Sequence, residues 1–389
     1  MTFTIDQDLL NRARSIAPVI EAEAAVAERD TTTTKPVVDA LTDTGVLWSL
    51  VPEALGGLET DIVTALAIFE ELARADGSTG WSAMANATSS CFAAIYTGEP
   101  AARAMFTEGV RGIHAGMLGP VGTARRVDGG FVVNGRYQFG SGCAHATHIG
   151  AGTIEVDDAG TPLNAESGLP AMRVVLIPRA QVDFRGNWDV LGLTSTGSYD
   201  YVVDDVFVPE DFTFSLLEWQ QQRGGPGFRI GLFAITSAGH AGFALGVGRR
   251  AIDEITALAA RRTRMAAFEP ISAQQLFQYE LAMHDAAMRS ARAGVFEAFA
   301  DADATARTTG AATNLQQQRM RAVTTYATKI AADAARFAYT WAGSAGLRPG
   351  VMQRCFRDIH AGTQHIYVDN GTLTAYAQAM LAEVPPPGD

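Results

Sequence analysis

Apolar residues recur at helical spacing through the first hundred positions. "DLLNRARSIAPVIEAEAAVAERD" carries that period, and "DIVTALAIFEELARAD" carries it more strongly. "DGSTGWSAMANATSSCFAAIY" follows a turn signal and predicts another helix. "VPEALGG" reads as a turn whose glycine supplies a positive φ. Near Gly116 the period changes to two. "RRVDGGFVVNGRYQFGSG" alternates like a strand pair with a turn at Asp128-Gly129-Gly130. "HIGAGTIEV", "AMRVVLIP" and "SYDYVVDDVFVP" continue in that style, and Pro209 closes the last. From about Pro226 the helical period returns in three long stretches. The first of them, "GLFAITSAGHAGFALGVGRRAIDEITALAARR", is rich in Gly and Ala and permits close helix approach.

These shifts predict a mainly α chain with a β middle. The expected units are an N-terminal α-helical domain over 1–114, a small β-barrel or sandwich over 115–225, and a C-terminal four-helix bundle over 226–389. The closing "EVPPPGD" reads as a frayed end.

Composition narrows the partners. The chain has 389 residues, 47% hydrophobic and 19% charged, which is ordinary for a globular protein. Its net charge of −12 argues against nucleic acid and anionic membrane. Three scattered cysteines, Cys91, Cys143 and Cys355, form no CxxC and predict neither disulfide framework nor zinc site. The start "MTFTIDQDLLNRARSIAPVI" has acids where a signal peptide has a basic and then an apolar run. No stretch of eighteen apolar residues exists. A cytoplasmic protein is the expectation.

Chemistry concentrates in "RDIHAGTQHIYVDN", which holds His360 and His365 five positions apart. That spacing is not the i,i+4 of a helical metal site, and no Glu-His partner accompanies it, so no metal is expected. Read alone, a histidine on a buried helix face is more often a satisfied core group than a catalyst.

Four stretches, taken in order, resemble the acyl-CoA dehydrogenase superfamily over nearly the whole chain. They are "VPEALGGLETDIVTALAIFEELARADGSTGW", "GRYQFGSG" with "VDDVFVP", "RMAAFEPISAQQLFQYELA", and "CFRDIHAGTQHI". The last looks most like the flavin-dependent monooxygenases of two-component systems. That resemblance implies an enzyme that accepts reduced flavin from a separate reductase and reacts it with O2. A C4a-(hydro)peroxyflavin would then hydroxylate an aromatic, heteroaromatic or amine small molecule. The alternative is an acyl-CoA dehydrogenase, FAD-dependent and desaturating an acyl thioester.

The two enzymes differ in one group. A dehydrogenase needs a carboxylate to remove a proton α to the thioester carbonyl. Counted from Arg357-Asp358, the usual position falls near Ile366, an apolar residue. The other known place, the first long C-terminal helix, has no Asp or Glu from Gly227 through Ile252. Asp369 is the nearest acid. A monooxygenase wants no such base, and the resemblance gives His365 the task of orienting oxygen and exchanging a proton within the imidazole's titration range.

The resemblance also implies the flavin contacts. Ser141 stands near N5, Phe139 beside the isoalloxazine, and Gly142 in the same turn. Thr123, in a "GPVGTA" loop, lies over the polar edge. Arg264 and Gln275 bind the adenine–pyrophosphate part of FAD across a subunit contact, which implies a homotetramer. FMN is the alternative flavin. His360 is a further flavin contact. Trp81, Asn86 and Ser90 are weaker candidates for the substrate pocket. Thr196 and Ser198, in "GLTSTGSYD", are weaker candidates in a loop facing the flavin, and His145 and His148 stand close to the cradle in sequence.

Overall fold

A computed structural model describes residues 3–107, 109–265 and 268–385. Six helices come first: α1 (Gln7–Ser15), α2 (Ala17–Asp30), α3 (Lys35–Thr44), α4 (Ile62–Ala75), α5 (Gly77–Tyr96) and α6 (Glu99–Phe106). The opening stretch of helical period forms two helices, because Pro18 starts a new first turn where its missing N–H costs nothing. Asp61 caps α4 by accepting from Val63 and Thr64 N–H, and Asp76 caps α5 at Thr79 N–H. In "VPEALGG", Gly56 takes φ +79° at the end of a 3-10 turn.

Seven strands follow: β1 (His114–Val127), β2 (Gly130–Gly140), β3 (His148–Val156), β4 (Met172–Pro178), β5 (Asp183–Phe184), β6 (Tyr199–Pro209) and β7 (Thr213–Ser215). They form one sheet in the order β5-β6-β2-β1-β3-β4-β7, antiparallel except for the parallel β1/β3 pair. The β1/β2 turn is the two-residue Asp128-Gly129 type, with Gly129 at φ +75°. Tyr201 ties the sheet's core: its hydroxyl donates to Gly150 O (2.7 Å), accepts Met117 N–H (2.8 Å), and its ring stacks on Tyr137.

The expected "GPVGTA" loop is strand instead. It lies within β1, where the pairing with β3 shifts register between Met117 and Gly122. A bulge absorbs the extra residues and the ladder continues, so Thr123 pairs with Asn134 and Ile154.

The C-terminal helices are α7 (Leu232–Arg261), α8 (Gln275–Thr309), α9 (Asn314–Ala342), α10 (Val351–Gly362) and α11 (Gly371–Ala382). Helix α7 packs on both α4 and α9. Its glycines make this approach possible: a Cβ at Gly246 would stand 2.3 Å from Glu70 O. The last member of the bundle is broken into α10 and α11, both against α9, and the break contains His365. Of "EVPPPGD", residues 386–389 lie outside the described residues. Among the described residues no helix is long and apolar enough to cross a membrane.

Candidate active site

Helix α5 delivers Trp81, α7 delivers His240 and Phe243, the α10–α11 break delivers His365 and Tyr367, and the turn after β2 delivers Ser141. The Trp81 ring meets His240 and Phe243 edge-on, each at 4.9 Å between centroids, and His365 at 5.6 Å. His240 and His365 lie 4.2 Å apart, and Tyr367 stacks on both at 5.6 Å. The chain can turn here because Gly362 ends α10 against Phe243 and Trp81; a Cβ there would come within 2.5 Å of the Phe243 ring.

His365 therefore stands in a turn rather than on the helix that carries His360. Its Nδ1 accepts the Tyr367 backbone N–H at 3.3 Å. An accepting Nδ1 carries no proton, so the neutral ring holds its proton on Nε2. Burial lowers the pKa to about 4. A ring with that pKa is neutral through the physiological range. Burial and the neighbouring His365 push His240 far below its ordinary value as well. Sequence reasoning passed over His240, since a lone histidine in "SAGHAGF" carries no motif; only helix packing sets it on His365.

Ser141 heads a row of hydroxyls. Trp81 Nε1 donates to Ser141 Oγ (3.2 Å), and Ser141 and Ser198 hydroxyls lie 2.7 Å apart. Ser198 and Thr196 hydroxyls lie 2.6 Å apart, and Thr196 donates to Leu193 O (2.7 Å). Leu193 sits at φ +58°, a costly conformation for a branched side chain. It is pinned there: its N–H donates to Asp358 Oδ1 (2.7 Å), and its carbonyl also accepts Trp188 Nε1 (3.0 Å). Burial raises the Asp358 carboxyl to about 7, with Asp76 adding to the rise.

Phe139 is the second strained residue at the site, at φ +64° and 54% exposed, with Trp188 edge-on to its ring. Gly142 takes φ +71°, and a Cβ there would meet Asn86 Oδ1 at 2.5 Å. Asn86 is buried beneath this turn. Its Nδ2 donates to His114 O (2.8 Å), which aims Oδ1 at His145 Nε2 (2.8 Å). Burial lowers His145 to about 4, and its Nδ1 finds no partner. Asn86 thus supports the turn from below.

Ser90 is fully buried, and its hydroxyl accepts His114 N–H (3.1 Å), so it offers nothing to a pocket. His148 stacks on His114 at the start of β3. His360 lies apart from the Trp81 group: its Nδ1 donates to Phe356 O (2.6 Å), and its ring leans on Phe356. Thr123 is exposed on β1. Arg264 covers the end of α9, donating to Thr340 O (3.3 Å) and Trp341 O (3.1 Å) above the Trp341 ring. Gln275 opens α8, exposed.

Among the described residues no carboxylate joins the Trp81 group. Ile366 is 76% exposed, and exposed Asp369 accepts Gly371 N–H at 2.7 Å. Among the described residues no three His, Cys, Asp or Glu side chains converge as for a metal ion. What is present suits a flavin chemically: an exposed aromatic, a hydroxyl with a spare lone pair, and an imidazole N–H.

Residues 7–110 match the acyl-CoA dehydrogenase N-terminal domain, and residues 238–370 the acyl-CoA dehydrogenase C-terminal domain. Indole-3-acetate monooxygenase of Pseudomonas putida is 31% identical over 373 residues, covering 91% of this chain and 88% of that protein. The flavin-dependent monooxygenase oxygenase subunit HsaA of Mycobacterium tuberculosis is 32% identical over 203 residues, 52% of this chain and 49% of that one. Its crystal structure superposes with a TM-score of 0.87 at 23% identity over 99% of both chains. XiaF from Streptomyces sp., solved with FADH2 and glycerol, gives 0.89 at 22% identity over 97% of both. With the three-part architecture in place, the chain belongs to the acyl-CoA dehydrogenase family, and within it to the flavin-dependent monooxygenases, as an oxidoreductase.

Proposed function

We propose that the protein is the oxygenase component of a two-component system, taking reduced flavin from a separate reductase and placing one atom of O2 on a small aromatic or heteroaromatic molecule. One observation carries the reading: Trp81, His240, Phe243, His365 and Tyr367 form an uncharged aromatic wall beside Ser141 with no carboxylate among them. A flat neutral ring suits such a wall, and an acyl thioester would find no base there. Indole-3-acetate, for which the Pseudomonas putida relative is named, carries such a ring.

When bound, reduced flavin would supply the electrons that activate O2. The chain's own residues set the conditions. Ser141 presents its hydroxyl oxygen to N5, Phe139 flanks the ring, and Gly142 lets the turn that carries Ser141 seat closely on Asn86. The wall keeps water out, which favours oxygen transfer over loss of peroxide. His365 points a fixed Nε2–H donor into the site.

FAD is the flavin we assign, with Arg264 and Gln275 at its pyrophosphate and adenine within a homotetramer. For this, Arg264 must exchange two helix-end carbonyls for phosphate oxygens, a stronger pairing for a guanidinium. Arg264→Ala is expected to weaken FAD by about tenfold and leave FMN nearly unchanged, because FMN lacks the pyrophosphate and adenosine. Titration of the variant with both flavins measures this, and equal losses for the two would refute the assignment.

The function is tested by mixing chemically reduced FAD and the protein with oxygenated indole-type and phenolic rings, and separately by titrating FAD-loaded protein with saturated acyl-CoA. Hydroxylated product without any bleaching by acyl-CoA is the expected outcome. Bleaching by acyl-CoA would return the chain to the dehydrogenases.

A further inference from the structure

The row of hydroxyls beside Ser141 has a direction. Its two ends cannot exchange roles. An indole Nε1–H only donates, so Ser141 Oγ accepts from Trp81. A carbonyl only accepts, so the Thr196 proton goes to Leu193 O at 2.7 Å. Each hydroxyl has one proton. With the Thr196 proton committed, the 2.6 Å contact requires Ser198 to donate to Thr196. The 2.7 Å contact then requires Ser141 to donate to Ser198. Every proton in the row points from Trp81 toward Leu193, and Ser141 is left with a spare lone pair and no spare proton.

The Leu193 end is held by more than one group. Its N–H is bound to Asp358 and its carbonyl also takes Trp188 Nε1, so the acceptor stays in place despite the positive φ. Thr196 and Ser198 are buried, 1% and 2% exposed, so water does not scramble the row. Reversing it would turn the Thr196 lone pairs onto Leu193 O at 2.7 Å and lose that bond.

We infer that Ser198 and Thr196 make the site selective for the reduced flavin by fixing Ser141 as a hydrogen-bond acceptor. This rests on the proposal that Ser141 faces N5. Reduced isoalloxazine carries a hydrogen at N5 and needs an acceptor; oxidised isoalloxazine carries a bare lone pair there and needs a donor. The row as built serves the first and sets two lone pairs against each other in the second. Ser198 and Thr196 are positioning residues, since they act through Ser141.

The test compares dissociation constants for oxidised FAD and for dithionite-reduced FAD, both under anaerobic conditions, by equilibrium ultrafiltration. The parent binds the reduced form more tightly. Ser198→Ala and Thr196→Val each free the Ser141 proton, so the oxidised-to-reduced ratio of dissociation constants falls by about fivefold, the value of one net hydrogen bond. The same change lowers the midpoint potential of bound FAD by about 20 mV for a two-electron couple. Thr196→Ser keeps the hydroxyl and the parent's ratio. A merely structural role would shift both constants together and leave the ratio and the potential alone; that result in Ser198→Ala and Thr196→Val overturns the inference, as would a parent that binds both forms equally. Ser141→Ala separates the two levels. If it alters FAD affinity while the Ser198 and Thr196 variants keep the ratio, only the inference fails. If it alters neither constant, Ser141 is not at the flavin and the proposal beneath it fails as well. Circular dichroism confirms that each variant is folded.

Discussion

Replacing His365 by alanine is expected to cut product formed per flavin oxidised by about thirtyfold, the kinetic equivalent of roughly 2 kcal/mol for one hydrogen bond in a dry site. The structure narrows what this imidazole can contribute. Tyr367 N–H occupies Nδ1, the ring is neutral, and its pKa lies at about 4. A group with that pKa holds few protons at pH 7 and is a poor proton carrier there. It is a good fixed donor through Nε2–H. The parent's product yield should therefore stay flat from pH 6 to 8 as far as this residue is concerned. Alanine removes the donor and opens the wall between Trp81 and His240, so peroxide should appear in place of product while FAD binding survives. Stopped-flow oxidation with product and peroxide analysis reads both quantities. If the alanine variant couples flavin oxidation to product as the parent does, His365 is packing and the site reading is wrong.

Acidification should destabilise the fold, and buried histidines are the cause. The folded-state pKa values of His145 and His365 are lowered by burial to about 4, whereas an unfolded histidine titrates near 6.5. Between these values the unfolded chain binds protons that the native chain refuses, so stability is full above about 6.5 and falls as the pH drops toward 4. Going from pH 7.5 to 5, each of the two costs about 2 kcal/mol. His114 and His240, buried and lowered further, push in the same direction. Asp358 opposes them. Its carboxyl is raised to about 7, so the fold takes up a proton before the unfolded chain does and gains stability as the pH falls below 7. That returns about 2 to 3 kcal/mol over the same interval. The net sign remains a loss. Urea denaturation at pH 7.5 and pH 5 measures it, and His145→Gln should shrink the difference by about 2 kcal/mol. A variant whose two midpoints are spaced like the parent's would show that His145 is not a buried neutral group.

Much of the scaffold was legible because its signals are local. The change from helical to alternating period near Gly116 falls at β1, the Asp128-Gly129 turn is where the chain reverses, and "HIGAGTIEV" is β3 residue for residue. The glycines of "SAGHAGFALGVG" foretold close helix contact: Gly242 and Gly246 lie against α4, Gly239 against α5, and Gly248 against α8 and α9. Local signals also misled. "GPVGTA" has the composition of a loop, yet it is a bulged part of β1: residues 118–121 form the bulge, and Thr123 and Ala124 pair with β2 on one side and β3 on the other.

The sequence by itself determined the order of elements, the family resemblance, and the vacancy at both positions where a carboxylate base would stand. Those depend on residue type and spacing, which a chain carries before it folds. Only the tertiary structure decided which groups meet. Trp81 and Ser141 are 60 positions apart and Leu193 and Asp358 are 165 apart, yet each pair shares a hydrogen bond. His240 joins His365 because two helices and a turn converge, not because either histidine has a motif. The tautomer of His365 and the direction of the hydroxyl row follow from single neighbours, Tyr367 N–H and Leu193 O. A proton's place is set by the one group across from it, and which group that is emerges only when distant segments pack.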